Sequence, residues 1–334
     1  MKKLFLSLVA AIVAATATYA QSDLVATLSH DGVTTAYYGA DALKNAHSAA
    51  THGDVITLSS GQFNAVEITK AITLRGTGMV FDSEKQKKRT TITGSVTIKI
   101  PDVPETLTLE GLFFVDGITI GSGTTLKNAK FIKSRFRSFY NSATVTNPVF
   151  FHCKIAEGGG LPNSTFINCV VWFCQSNVEY HNCIIHSNQS SGAFISDKNS
   201  TFENCILVAQ TDYHFQSMDS SNAVYNCIGI YPTRPTSSSY RMFAGITNNT
   251  NRDLEGDGSN LFKTFRTQAS YTDSETFELT DEAASAYLGT DGTQVGIYGG
   301  DLPFDSTPSN PQITQFDVEK NVANGKLTVK INVE

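Results

Sequence analysis

Between residues 166 and 228 one short phrase is written four times: Phe166-Ile167-Asn168-Cys169-Val170, Tyr180-His181-Asn182-Cys183-Ile184, Phe202-Glu203-Asn204-Cys205-Ile206 and Val224-Tyr225-Asn226-Cys227-Ile228. In a straight strand side chains alternate, so the first residue of the phrase and the cysteine three places on would face opposite sides. An Asn between them removes the conflict, because Asn enters the left-handed backbone region more readily than most residues and turns the chain. The predicted unit is strand, Asn corner, strand. Repetition at about 20 residues marks a solenoid, whose coils bury their apolar side only by stacking on one another. The same phrase predicts a stacked ladder of Asn side chains and a column of cysteines in the core. Cys183, Cys205 and Cys227 are 22 residues apart, which suits one coil each, whereas Cys169 and Cys183 are 14 apart. Either a coil is pinched there or Cys183 takes a different corner.

A chain of 334 residues, 40% hydrophobic and 17% charged, can bury a large core. Residues 1–20 read as a secretory signal: Lys2 and Lys3, an apolar run from Leu4 to Ala15, and small residues ending at Ala20 before Gln21. The expected address is therefore export, to the periplasm, the outer surface or the medium. The formal net charge of −6 becomes −8 once the two signal-peptide lysines are removed. Such a balance disfavours nucleic acid and anionic membrane as partners. No stretch after the signal approaches the roughly 18 apolar residues that span a bilayer. Six cysteines in an exported chain would ordinarily suggest disulfides, but five of them fit the repeating core position and read as free buried thiols. A zinc site from His152, Cys153, His181, Cys183 and His186 lacks the close Cys pairs that structural zinc uses.

Asp41 to Ala50 carries apolar residues at helical spacing, with Gly53 just beyond, and predicts a capping helix at 41–52. Short strand-like pieces follow, separated by Gly, Ser, Asn and Asp as turns require. Lys85, Lys87, Lys88 and Arg89 could form a basic binding patch, but read instead as a solvated loop between coils. Three segments now carry a resemblance. Gly53-Asp54-Val55-Ile56, Ser59-Ser60-Gly61-Gln62-Phe63 and Ile68 to Gly78 look like the opening of secreted right-handed parallel β-helix proteins of the pectin-lyase-like superfamily. Leu109-Glu110-Gly111-Leu112-Phe113-Phe114 is similar to their early coils. Gly258 to Phe262, Phe277 to Thr280, Leu288 to Gly292 and Val295 to Gly300 resemble the closing coil of β-helix proteins secreted by Bacteroidetes. The resemblance spans about residues 30–302.

The expected fold is all-β: a right-handed parallel β-helix (solenoid) of roughly ten coils from about 54 to 300, with an N-terminal capping helix and a short C-terminal two-strand appendage. The divisions are 1–20 signal peptide, 21–302 β-helix with its cap, 303–312 linker around Pro303, Pro308 and Pro311, and 313–334 appendage. Two strands alone are marginal in water, so the appendage must dock, pair with another molecule or serve attachment.

Catalytic signatures are sparse. Polygalacturonase-like members of the resembled superfamily use a Gly-His-Gly and grouped aspartates, and this chain has neither a Gly-His-Gly nor an Asp-Asp pair. Lyase members use calcium-binding acids with an Arg or Lys base, and Asp212, His214, Asp219, Arg234 and Arg241 lie within 30 residues as candidates for such a set. Asp253, Glu255 and Asp257 imitate the first half of a calcium loop, but position twelve is Thr264 instead of Glu. Arg135, Arg137 and Tyr140, with Phe136 and Phe139, offer stacking and hydrogen bonds to a sugar, against a core role for the alternating Phe residues. Trp172 reads as buried or half-buried.

The reading is a secreted or cell-surface β-helix protein that binds a polysaccharide or another surface component without turning it over, needing no cofactor beyond a weak calcium candidate. The alternative is a polysaccharide lyase or glycoside hydrolase acting on complex glycans. A purely structural or assembly module is the third class.

Overall fold

The computed structural model describes residues 24–80, 89–186, 198–208, 218–231, 241–247, 250–254, 260–264, 275–308, 313–321 and 326–333. It is an all-β right-handed parallel β-helix. One sheet of 11 strands runs along the molecule, from Val55–Leu58 through Lys130–Ile132 and Thr165–Ile167 to Ala223–Tyr225, all parallel, and begins with an antiparallel hairpin. That hairpin is β1 (Val25–His30) and β2 (Val33–Tyr38), turned at Asp31 and Gly32, both at positive φ. A second sheet of 12 strands holds Gly61–Asn64, Leu112–Phe114, Arg135–Asn141, Lys154–Gly159, Ile184–His186, Ile206–Val208 and Ile228–Ile230 on its path. Strand Arg135–Asn141 also pairs with Ile118–Ile120, so a short third leg merges into the second sheet.

The corner between the two long sheets is the repeated phrase. Asn168, Asn182, Asn204 and Asn226 all have φ between 49° and 56°, as the sequence predicts. Lys133 (φ 47°) and His152 (φ 54°) occupy the same corner in earlier coils. The corner amides bridge the coils, with Asn168 N–H donating to His181 O and Asn204 N–H to Tyr225 O. Cys183 keeps this corner: coil Thr165–Val178 is pinched because its second-sheet strand is only Val170–Val171.

Two columns fill the interior. Phe131, Phe150, Phe166, Tyr180 and Phe202 stack with centroids 4.5–5.2 Å apart and planes within 16°. Beside them Cys153, Cys169, Cys183, Cys205 and Cys227 are buried free thiols, each at most 1% exposed. Every thiol reaches a carbonyl of the preceding coil, as Cys205 Sγ does Tyr180 O at 3.3 Å. Burial pushes the thiols of Cys153, Cys183 and Cys227 well up, so they behave as small apolar groups. Cys205→Ala is expected to cost about 1 kcal/mol or more through the cavity it leaves. The native protein should react slowly with a thiol reagent, first at half-buried Cys174, and show all six thiols on denaturation without reductant. Fewer than six would place disulfides in the column.

The N-terminal end is closed by α1 (Ala42–Ala49), which buries Ala42, Leu43 and Ala46 over the first coil. Nearby His30 Nδ1 lies 2.8 Å from Asp54 Oδ1, and Asp54 also accepts from Thr51 N–H at 2.6 Å, which ties the hairpin to the first coil.

The other end departs from the expectation. Among the described residues the stacked strands stop at Leu254, not near 300. The segments resembling a closing coil do something else. Leu261, Phe262, Phe277, Leu279 and α2 (Asp281–Ala286) lie on the outer face of the second sheet, where they form a second core with Val170, Trp172, Ile184, Ile206, Val208, Ile228 and Ile230. This explains why Ile184–His186, Ile206–Val208 and Ile228–Ile230 are buried at every position: both faces are covered. Trp172 is 6% exposed there.

Residues 288–308 then run back along the corner as a strap. Asn226 Nδ2 donates to Leu288 O, Thr290 N–H to Asn204 Oδ1 and Gly296 N–H to Asn204 O. Asn168 Nδ2 donates to Ile297 O and Gly299 O, both at 2.8 Å. His152 holds Leu302 O and the Asp305 backbone, and Lys133 Nζ pairs with Asp305 Oδ2 at 2.8 Å. Pro308 ends over Gly78 and Gly111. The side chains of Asn168, Asn204 and Asn226 therefore cap the strap; these hydrogen bonds take the place of the predicted Asn-on-Asn ladder. At Gly296 the left-handed backbone (φ 81°) favours glycine, and an added Cβ would press on Ile206 Cδ1 at 2.8 Å. The C-terminal strands Ile313–Asn321 and Lys326–Val333 pair antiparallel with each other.

Candidate functional site

Strand Arg135–Asn141 gathers the predicted binding residues. Its buried positions are Phe136 and Phe139, three apart and both fully buried, so these two belong to the core. Arg135, Arg137 and Tyr140 are left on the outer face, and Tyr140 is 45% exposed. Tyr140 OH donates to Glu157 Oε2 at 3.3 Å on the next strand, which orients the ring. Desolvation and the Glu157 carboxylate push the Tyr140 phenol up, keeping it a donor.

Two residues that sequence reasoning missed complete the patch. Phe113 stands between buried Leu112 and Phe114 and so faces outward, one strand from Arg135 and in register with it. The Arg135 guanidinium lies 4.7 Å from the Phe113 ring centroid and that of Arg89 lies 4.4 Å from it. Both guanidiniums lie within cation–π range of the ring. Period-two alternation in Leu112-Phe113-Phe114 was the available signal for Phe113. Arg89 ended a run read as a solvated loop and not as a basic patch, because its partner comes from the next coil; Lys85, Lys87 and Lys88 of that run lie outside the described residues.

Lys154 is the register neighbour of Arg135 on the other side, but it turns under the C-terminal cover. It is 6% exposed, with its Nζ 5.7 Å from the Phe277 ring and 5.6 Å from that of Phe304. Burial and the Arg135 charge push its pKa down to about 8, against the opposing pull of Glu275. His186, fully buried beside Trp172, is pushed down by burial to about 4.

The candidate lyase-type set is spread out or lies outside the described residues. Asp212, His214 and Arg234 fall outside them. Asp219 accepts from Ser221 N–H at 2.9 Å and faces Lys198 at 3.6 Å. Arg241 is beside Met242, whose carbonyl accepts from Met218 N–H, and its Nε is buried without a hydrogen-bond partner. Of the calcium candidates, Glu255 and Asp257 lie outside the described residues, while Asp253 sits on strand Arg252–Leu254 and accepts from Tyr231 OH at 2.9 Å. His152 and His181 are engaged by the strap and by Glu203, away from the inward thiols. Among the described residues no group of three or more His, Cys, Asp or Glu side chains is placed to hold a metal ion. No described helix is long and apolar enough to cross a membrane.

Comparisons with protein-family models, with curated proteins and with solved structures return no match.

Proposed function

We propose that the protein is an exported, non-catalytic glycan-binding β-helix whose binding face is the outer surface of the second sheet around Phe113, Arg135, Arg137 and Tyr140. The observation that carries this reading is the pair of guanidiniums, of Arg89 and Arg135, centred 4.4 and 4.7 Å from the Phe113 ring, with Tyr140 exposed farther along the same strand as Arg135. Planar donors recognise hydroxyl and carboxylate oxygens in pairs, and an aromatic ring accepts the apolar face of a pyranose.

A non-catalytic role is favoured by where the perturbed groups sit. Among the described residues outside the thiol column, the groups shifted farthest are Lys154, His186 and Tyr231, and they are 6%, 0% and 0% exposed. Catalytic groups with shifted pKa values line clefts that substrate can enter. The net negative charge opposes polyanionic chains except where this basic patch faces them.

The test is a calorimetric screen of neutral and acidic oligosaccharides, with and without calcium, alongside reducing-end and ultraviolet uronate assays. Binding is expected without turnover and without dependence on calcium. Phe113→Ala or Arg135→Ala should weaken it about tenfold, equivalent to about 1.4 kcal/mol. Turnover abolished by Arg241→Ala would replace this reading with the lyase or hydrolase alternative.

A further inference from the structure

The two ends of the first sheet are finished differently. At the C-terminal end, side chains of a following loop cover the last coil: Asn251 Nδ2 donates to Val224 O, Cys227 N–H to Asn251 Oδ1 and Asn226 N–H to Thr250 Oγ1. At the N-terminal end the sheet stops at β2, whose outer side has no strand beside it among the described residues. Exposed sheet edges recruit other strands unless a charge, a proline or a bulge blunts them. Residues Val33-Thr34-Thr35-Ala36-Tyr37-Tyr38 contain none of these. All but Tyr37 are exposed, Val33 at 66% and Tyr38 at 52%.

The register shows which amides are on offer. β1 and β2 join through a two-residue turn, so His30 and Val33 form a hydrogen-bonded pair. The bond from Gly39 N–H to Leu24 O keeps the same parity at the far end of the hairpin. Val33, Thr35 and Tyr37 therefore spend their backbone groups on β1. Thr34, Ala36 and Tyr38 direct theirs outward. These three positions are centred on Ala36.

We infer that β2 is a strand-addition surface at which two copies of this chain pair antiparallel about Ala36. In that register Ala36 meets its own copy across the twofold axis, and Thr34 meets Tyr38 of the partner subunit on each side. The pairing satisfies the outward amides of both strands and joins the two solenoids end to end. An uncharged strand in a chain of net charge −6 is where two like molecules approach with least repulsion. A six-residue contact falls well below the roughly 1,600 Å² of a standard stable interface, so the dimer is reversible.

Sedimentation velocity on the purified protein tests this. The weight-average sedimentation coefficient should rise from a monomer value near about 10 µM toward a dimer value near about 500 µM. Ala36→Pro removes only an outward N–H, which an edge strand tolerates, and should hold the protein monomeric with an unchanged thermal midpoint. The pair Thr34→Lys with Tyr38→Lys sets lysines opposite one another and should also abolish dimerisation, whereas Thr34→Lys with Tyr38→Glu should restore it. A wild type that stays monomeric throughout overturns the inference. So does an Ala36→Pro variant that is folded and dimerises as before, which would move the contact to another surface such as the C-terminal strand pair.

Discussion

Asn168→Ala is expected to destabilise the protein by about 3–4 kcal/mol, a large loss for a polar side chain. Asn168 is 2% exposed and its Nδ2 serves two carbonyls of the strap, Ile297 O and Gly299 O. Leaving buried hydrogen-bonding groups unsatisfied costs about 1–3 kcal/mol each. Alanine at φ 49° adds about 1 kcal/mol of backbone strain. Asn168→Gly separates the two effects, since glycine accepts the left-handed corner and loses only the hydrogen bonds. It should fall about 1 kcal/mol short of the alanine loss in urea denaturation. Hydrogen exchange at the amides of 295–300 should quicken in both variants before global unfolding. If both variants stay within 1 kcal/mol of wild type, the strap is not held by this residue.

Phe150→Ala is expected to cost about 4 kcal/mol. Phe150 lies in the middle of the aromatic column, its ring centroid 4.6 Å from that of Phe131 and 4.5 Å from that of Phe166 in parallel stacks and 5.3 Å from that of Phe139 in a T-shaped pair. Removing a fully buried Phe loses its transfer free energy and leaves a cavity that neighbours fill only partly. Coils are pinned above and below by backbone ladders, which restricts collapse into the space. Phe150→Leu should cost about half as much, because most of the volume remains. Equal losses for the two variants would mean that ring stacking, not volume, sets the stability.

Both predictions rest on features that the sequence discloses unequally. The corner and the core columns were legible because Phe, Asn and Cys recur in fixed order, so one local backbone solution explains every copy. Lys133 and His152 hide the same corner from a search for Asn, although Phe131 and Phe150 precede them at the right distance. The strap was not legible at all. It is recognised largely through its carbonyls, at Leu288, Ile297, Gly299 and Leu302, and carbonyls leave no side-chain signature. The second core was half legible, since Cys183-Ile184-Ile185-His186 and Cys205-Ile206-Leu207-Val208 are apolar without alternation, which signals two covered faces. Of the binding patch, Arg135, Arg137 and Tyr140 share one strand and could be grouped by eye. Arg89 and Phe113 join them only because successive coils stack in register.

The strap also sets an order of events. A solenoid in which each coil touches only its neighbours can add turns one at a time and can fray from either end. Here the contact between Lys133 and Asp305 spans 172 residues, so the seat for the strap exists only after every intervening coil is in place. Closing so long a loop is an entropic burden carried late, by a segment whose partners are already rigid. Once seated, it links corners from Gly111 to Asn226, and opening any one coil then strains contacts on the others. A structure that assembles piecemeal thereby comes apart as one unit, and its resistance to unfolding resides in a tail that takes no part in the coiling.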